Sequence, residues 1–516
     1  MLVFSLFILL AMLLAIGMAI DTARVELDRA RLQTVTDNAI LAAADLEQGL
    51  DPTEVVNDYY RKAGLENYHT EPVVESSPTF RTVSATARSV VPTLLMKMVG
   101  IHSLVAPAAG TATESMSDVE IALVLDVSGS MDDTTPTRIS LLKPAARSFI
   151  DTVTRQEDDP GTTVVSIVPF SSQVSLGEGF LARFDNTGEH SYSSCVTFEA
   201  GDFQTTGISL EATLTRTAHY YAISSSLNPT VDYLVCPPSG DRAITPWSRD
   251  ADHLKGRIDA LQVYGNTSIE IGTKWGAALL DPSLRPILNA MELDGEIDAA
   301  LRDQPFDYSR ENTMKILVVM SDGENTGSGD IKPPYRAGPS ALFRHIEVKQ
   351  DWVSTGGSKG FWRTTKTPHY SYFDEERAGT AKYYSVDDDA WKSGPDGGSE
   401  AVRLTWPEVW DDMAVRYFTR NIKRKALGGD SATYDNEIKF DLVGTDKNPR
   451  TSDICSAAKA AGVTIFTIGM DTYGNGDTTL ADCASMPSYF YDVKSLDIAS
   501  AFASIARQIN QLRLTQ

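Results

Sequence analysis

Residues 118–130, DVEIALVLDVSGS, decide the reading of this chain. Val119 to Leu125 is nearly all apolar, as suits a strand buried on both faces, and it runs directly into Asp126-Val127-Ser128-Gly129-Ser130, a DxSxS cluster of small oxygen-bearing side chains. Working outward, Thr163 to Pro169, Met314 to Met320 and Val463 to Ile468 repeat the apolar character, and helical stretches at Ile139 to Thr154 and Ser452 to Ala461 separate them. Strands and helices alternating in this way predict an α/β fold with a doubly wound parallel sheet. Ligands of such sheets sit beyond the carboxyl ends of the strands, so the residues that follow each strand carry the functional signal.

After the strand ending at Met320 comes Ser321-Asp322-Gly323-Glu324, and between the two clusters Gly265-Asn266-Thr267 opens a helix. Read singly, each cluster is ordinary turn or cap chemistry. Together they offer hydroxyls from Ser128, Ser130 and Thr267 and carboxylates from Asp126 and Asp322, an all-oxygen set that suits a hard cation such as Mg2+, with Mn2+ or Ca2+ as alternatives. Two carboxylates neutralise a dication, and a carboxylate on a partner can complete its shell. Residues 118–516 resemble a von Willebrand factor A domain, a Rossmann-like fold whose metal-ion-dependent adhesion site (MIDAS) carries the motif matched by Asp126, Ser128, Ser130, Thr267 and Asp322. The closing segment LADCASMPSYFYDVKSLDIASAFASIARQI is similar to that family's last strand and helix.

The N-terminus has a different character. Residues 1–20, MLVFSLFILLAMLLAIGMAI, hold no charge and no proline, and about twenty helical residues cover the hydrocarbon core of a bilayer. This predicts a transmembrane helix. The alternative is a secretory signal, for which Gly17-Met18-Ala19 offers a small-residue cleavage site but no basic stretch precedes the apolar run. Arg24, Arg29 and Arg31 follow the span and no Lys or Arg precedes it, so charge bias does not favour an outward C-terminus. The helix is expected to continue to about Leu50, followed by strands at 81–91 and near 102–106, a small α+β region over residues 21–113, and TESMS as a linker. Leu32-Gln33, Asp37 and AILAAADLE, placed after an uncharged span, resemble the start of TadE/TadG-like proteins of Flp (Tad) pilus assembly, and VVPTLLMKMVGIHSLVAPAAGTA is similar to the part that follows in TadG-like proteins. The resemblance implies a single-pass protein of the bacterial inner membrane, with residue 21 onward facing the periplasm or exterior.

Four cysteines, Cys195, Cys236, Cys455 and Cys483, include no CxxC pair and no zinc-site spacing. They allow three connectivities. Cys195 with Cys236 and Cys455 with Cys483 are the economical pairs, and buried free thiols are the alternative. Beside a membrane span, disulfides in an oxidising compartment are favoured.

Two long excursions interrupt the strand–helix pattern, at about 171–249 and 326–450. Loops of that length are functional or disordered. The second holds Trp352, Trp362, Trp391, Trp406 and Trp410, five of the seven tryptophans, which disfavours disorder. It also carries nineteen acidic and nineteen basic residues, so the chain's net charge of −23 lies outside it. A recognition surface beside the cation site is one reading; a subdomain with its own aromatic core is the better supported one, because aromatics are mostly buried.

The acidic balance, with a pI near 4.7, excludes nucleic acid as a general partner. The GxSxG at Gly356 to Gly360 lacks the buried strand that a nucleophile elbow needs, and Asp471 to Asp482 matches a calcium loop only in part. No general base accompanies the oxygen cluster, so an enzyme is not expected. The expectation is a membrane-anchored extracytoplasmic binding protein of pilus assembly that grips a carboxylate on a protein partner through the MIDAS, and the alternative is a surface adhesin using the same site.

Overall fold

The computed structural model describes residues 2–45, 49–76, 80–115, 118–154, 162–218, 236, 240–310, 312–356, 359–472 and 474–515. The chain divides into two units, one drawn mainly from residues 2–118 and the other from 119–509.

The first unit is organised by one helix, α1 (Leu2–Ala44), whose apolar beginning matches a membrane span in length and composition, with Phe4, Phe7 and Leu10 exposed. From Leu32 onward the helix buries Ala39, Ile40 and Ala43 against the antiparallel sheet β1 (Val73–Ser76), β2 (Phe80–Pro92) and β3 (Ser103–Ser115). It stops at Ala44, earlier than the expected Leu50. A second helix, α2 (Pro52–Ala63), starts where the Asp51 carboxylate accepts from the amides of Thr53 and Glu54. Asp21 turns inward and accepts from the amides of Leu94, Leu95 and Met96 at 2.7–2.8 Å, fixing the turn between β2 and β3. Thr113 to Ser115, expected as linker, instead pair with β2; Met116 and Ser117 of that expectation lie outside the described residues.

The second unit is built on a six-stranded sheet. Along the chain come β4 (Asp118–Asp126), α3 (Arg138–Val153), β5 (Thr163–Phe170), a short inserted pair β6 (Val196–Thr197) and β7 (Thr215–Arg216), then β8 (Thr245–Ser248) and β9 (Thr313–Ser321). After a long excursion the chain returns to β17 (Thr464–Met470) and β18 (Phe490–Val493). The order across the sheet is β18-β17-β9-β4-β5-β8. The pairs β4–β5, β9–β17 and β17–β18 are parallel, and β8 is an antiparallel edge. All nine residues of β4 are buried, as its apolar sequence requires. The helix Ile269–Leu279 lies close against the sheet because Gly272 and Gly276 have no side chain: a Cβ on Gly276 would come within 2.6 Å of Val124 and 2.7 Å of Leu317.

The first excursion differs from its expected bounds, since β8, inside 171–249, belongs to the sheet itself. Phe180, Phe184, Phe198 and Phe203 join the sheet's own core and pack around Trp247 and Trp275, and Cys195 is bonded to Cys236. Cys455 is bonded to Cys483, tying the helix Gly444–Ala460 to the helix Asn475–Cys483.

The second excursion forms a lobe. Its neck is the antiparallel pair β10 (Ser328–Ile331) and β16 (Lys439–Leu442). Its body is a five-stranded antiparallel sheet, β14-β13-β12-β11-β15, made of β11 (Pro339–Gly356), β12 (Lys359–Phe373), β13 (Tyr383–Ser385), β14 (Ala390–Lys392) and β15 (Val402–Thr405). Trp410 is fully buried, stacks on Trp406 at 5.3 Å and meets Phe418 edge-on, among Tyr370, Tyr372 and Tyr384. The lobe ends before the expected residue 450, because the helix Gly444–Ala460 already carries Pro449 in its interior.

Candidate metal centre

Four of the five oxygen-bearing positions, Asp126, Ser128, Ser130 and Asp322, are joined by hydrogen bonds at one end of the sheet. Asp126 is the last residue of β4 and is fully buried; the amide of Ser128 donates to its Oδ1 at 2.7 Å and the Ser321 hydroxyl to its Oδ2 at 2.6 Å. The backbone N–H of Asp322 also reaches the Asp126 carboxylate. Ser128 and Ser130 bring their hydroxyls to 3.0 Å from each other, and Ser130 Oγ donates to Asp322 Oδ1 at 2.8 Å. The loop of Thr267 is docked against this cluster by the amide of Gly129, which donates to the Gly265 carbonyl at 2.8 Å. Gly265 holds φ at +87°, and a Cβ there would meet the Ser171 and Ser172 hydroxyls, so glycine is required at this approach.

Thr267 is held from both sides. Its amide donates to Thr326 Oγ1 at 2.8 Å and its carbonyl accepts from the Thr326 amide at 3.0 Å. Lys447, fully buried, donates to Ser268 Oγ at 2.7 Å and to the Thr267 carbonyl at 3.3 Å, and Asn325 Oδ1 accepts from the Ile269 amide at 2.7 Å. Asn325, Thr326 and Lys447 all lie where the aromatic lobe leaves and rejoins the sheet. Sequence reading missed them, since a lone Lys or Asn beside a loop carries no motif.

Two buried carboxylates in contact with one another's loops are electrostatically costly. Burial, followed by the charge of Asp126, pushes the Asp322 carboxyl up to about 7, and burial raises Asp126 as well. One compensating charge is present that the sequence did not announce: Arg138, the first residue of α3, donates to Asp322 Oδ2 at 3.1 Å and to the Ser130 carbonyl at 2.9 Å, and also pairs with Asp471. A divalent cation would relieve the remaining repulsion, and the donor set, carboxylates and hydroxyls without thiolate or imidazole, fits a hard ion. Among the described residues no three His, Cys, Asp or Glu side chains are grouped so that they alone could hold a metal ion.

Residues 1–46 match the family model described as "Putative Flp pilus-assembly TadE/G-like". No curated protein matches the chain. Among solved structures, the vWF domain of the type V pili tip protein Mfa5 from Porphyromonas gingivalis is similar at 13% identity and a TM-score of 0.33, covering 77% of this chain and 96% of that one. The pilus adhesin SpaC from Lactobacillus rhamnosus GG gives 12% identity and a TM-score of 0.29, over 85% of this chain and 34% of that chain. Proximal thread matrix protein 1 from the mussel byssus, in a form with a zinc-occupied MIDAS motif, gives 12% identity and a TM-score of 0.28, over 77% and 46%. None of these superpositions reaches a TM-score of 0.5, so the architecture of this chain stands on its own strand order. The N-terminal segment is TadE/G-like, and the one helix among the described residues that is long and apolar enough to cross a membrane fits a single-pass membrane protein.

Proposed function

We propose that this chain is a membrane-anchored binding protein of Flp/Tad pilus assembly, in which residues 118–516 are a von Willebrand factor A domain that grips a partner's carboxylate through a divalent cation. Residues 1–20 act as the anchor in the inner membrane and the remainder faces the periplasm or exterior. Asp126, Ser128, Ser130, Thr267 and Asp322 hold the ion, with magnesium the best match to an oxygen-only set. The observation that carries this reading is the hydroxyl bridge from Ser130 to Asp322, which brings two loops from the ends of different strands onto one point. The TadE/G-like match at residues 1–46 supports the pilus context.

The role is binding, with the cation as the joint between chain and partner. The test uses the native cell, comparing a deletion with Asp126→Asn, a variant that keeps the size of the buried side chain. Loss of surface filaments in both, seen by electron microscopy, is the expected result. Filaments that persist in both while attachment to surfaces falls would overturn the assembly role and assign the site to adhesion.

A further inference from the structure

The aromatic lobe does not bury all of its tryptophans. Strand β11 pairs with β15 only from Pro339 to Arg344, and β12 pairs with β13 only from Ser371 to Phe373. Between those points and the hairpin tip, His345 to Ser354 and Gly360 to His369 pair only with each other among the described residues. Ten residues at about 3.3 Å each make a ribbon that extends about 33 Å beyond the sheet. Side chains alternate along it, and directly paired residues share a face. One face presents Ile346, Val348, Trp352 and Trp362, which are 43%, 55%, 51% and 65% exposed. The two tryptophans are a cross-strand pair in edge contact, 5.5 Å between ring centroids. The opposite face is polar over most of its length, with Glu347 paired to Lys349 and Asp351 to Arg363, and turns apolar near the tip, where Val353 faces Phe361, itself 53% exposed.

Charge distinguishes the ribbon. Over residues 345–369 it carries Lys349, Lys359, Arg363 and Lys366 against Glu347 and Asp351, an excess of two positive charges in a chain whose net charge is −23. Two bare ribbon edges and an uncovered apolar face are an aggregation hazard unless a partner takes them. A second copy of this ribbon is disfavoured, because like charges would meet. An anionic bilayer satisfies each feature: tryptophan rests at the level of the headgroups, aliphatic side chains reach the acyl boundary, and Arg and Lys meet lipid phosphates.

We propose that the β11–β12 ribbon docks on the surface of a negatively charged lipid bilayer, its Trp352–Trp362 face against the lipid with Lys366 of that same face at the headgroups, and Arg363 on the other face adding to the ribbon's positive charge. Each basic residue near such a surface contributes weakly, so the contact is reversible and depends on the chain being held near a membrane. The proposal is independent of the cation site.

Tryptophan emission reports it directly, since residues 1–246 contain no tryptophan and Trp247, Trp275 and Trp410 are buried. The full chain is reconstituted in nanodiscs of phosphatidylcholine alone or mixed with phosphatidylglycerol, both with brominated acyl chains that quench indole on contact. The expected result is quenching in the mixed discs of most of the emission that Trp352→Phe with Trp362→Phe removes, and its loss in Arg363→Glu with Lys366→Glu. Unquenched emission in the mixed discs overturns the proposal, as does equal quenching without phosphatidylglycerol. A blue shift on adding soluble polyglutamate, with no quenching by lipid, assigns the ribbon to an acidic protein and also overturns it.

Discussion

Ser130 donates its hydroxyl to Asp322 across 2.8 Å, joining positions 192 residues apart in the chain. The contact closes a ring in which Asp126 is held by Ser321, the neighbour of Asp322, and Ser128 stands between the two acids. Nothing in this ring bears a positive charge; Arg138 supplies one from outside it.

Arg138→Met therefore leaves two buried carboxylates without their compensating charge. The metal-free protein is expected to lose about 1–3 kcal/mol of stability, since a charged hydrogen-bond partner is removed from a buried acid. The rise in Tm produced by millimolar magnesium is expected to grow relative to wild type, because the ion then does the whole of the neutralising. A smaller rise in the variant would mean that Arg138 helps to hold the ion.

Lys274 offers a pH test away from the candidate cation site. Its ammonium is buried and donates to the carbonyls of Thr205 and Gly207, and burial brings its pKa down from 10.5 to about 8, against the opposing charges of Asp202 and Asp281. Between those two values the unfolded chain binds the proton and the folded chain does not, so folding stability gained from this residue rises with pH from about 8 to 10.5. The gain amounts to at most about 3 kcal/mol. Urea unfolding across that range, compared with Lys274→Met, is expected to show a rising difference in favour of wild type; parallel profiles would contradict the lowered pKa.

The Cys455–Cys483 bond closes a loop with a sequence separation of 28. By chain entropy its loss costs about 3–4 kcal/mol. Cys455→Ala with Cys483→Ala is expected to unfold at a clearly lower denaturant midpoint. An unchanged midpoint would show that the bond is not formed in the cell.

Much of this architecture was legible because its signals are local. β4, β5, β9 and β17 are apolar runs that leave no alternative to burial, and the oxygen residues follow their ends directly. Signals that depend on distant partners were not. Arg138 is an ordinary residue at a helix start until the fold places Asp322 beside it, and Lys447 becomes meaningful only once the lobe's exit helix lies against Thr267. Asp21 reads as the first charge after an apolar run, although three amides from residues 94–96 claim its carboxylate. β8 was hidden because Pro246 and Trp247 within four residues do not read as a sheet strand; at an antiparallel edge, proline is tolerated. The tryptophans of the lobe were expected to share one fate, yet Trp410 is core and Trp362 is exposed, a division set by strand pairing that composition does not carry.

Asp126 and its neighbours are proposed to hold a divalent cation. Calorimetric titration of magnesium into the chelator-stripped full chain in detergent, beside Asp126→Asn with its fold checked by circular dichroism, tests it most directly. One ion per wild-type chain and none in the variant is the expected result; equal binding by both would rule out a cation at Asp126.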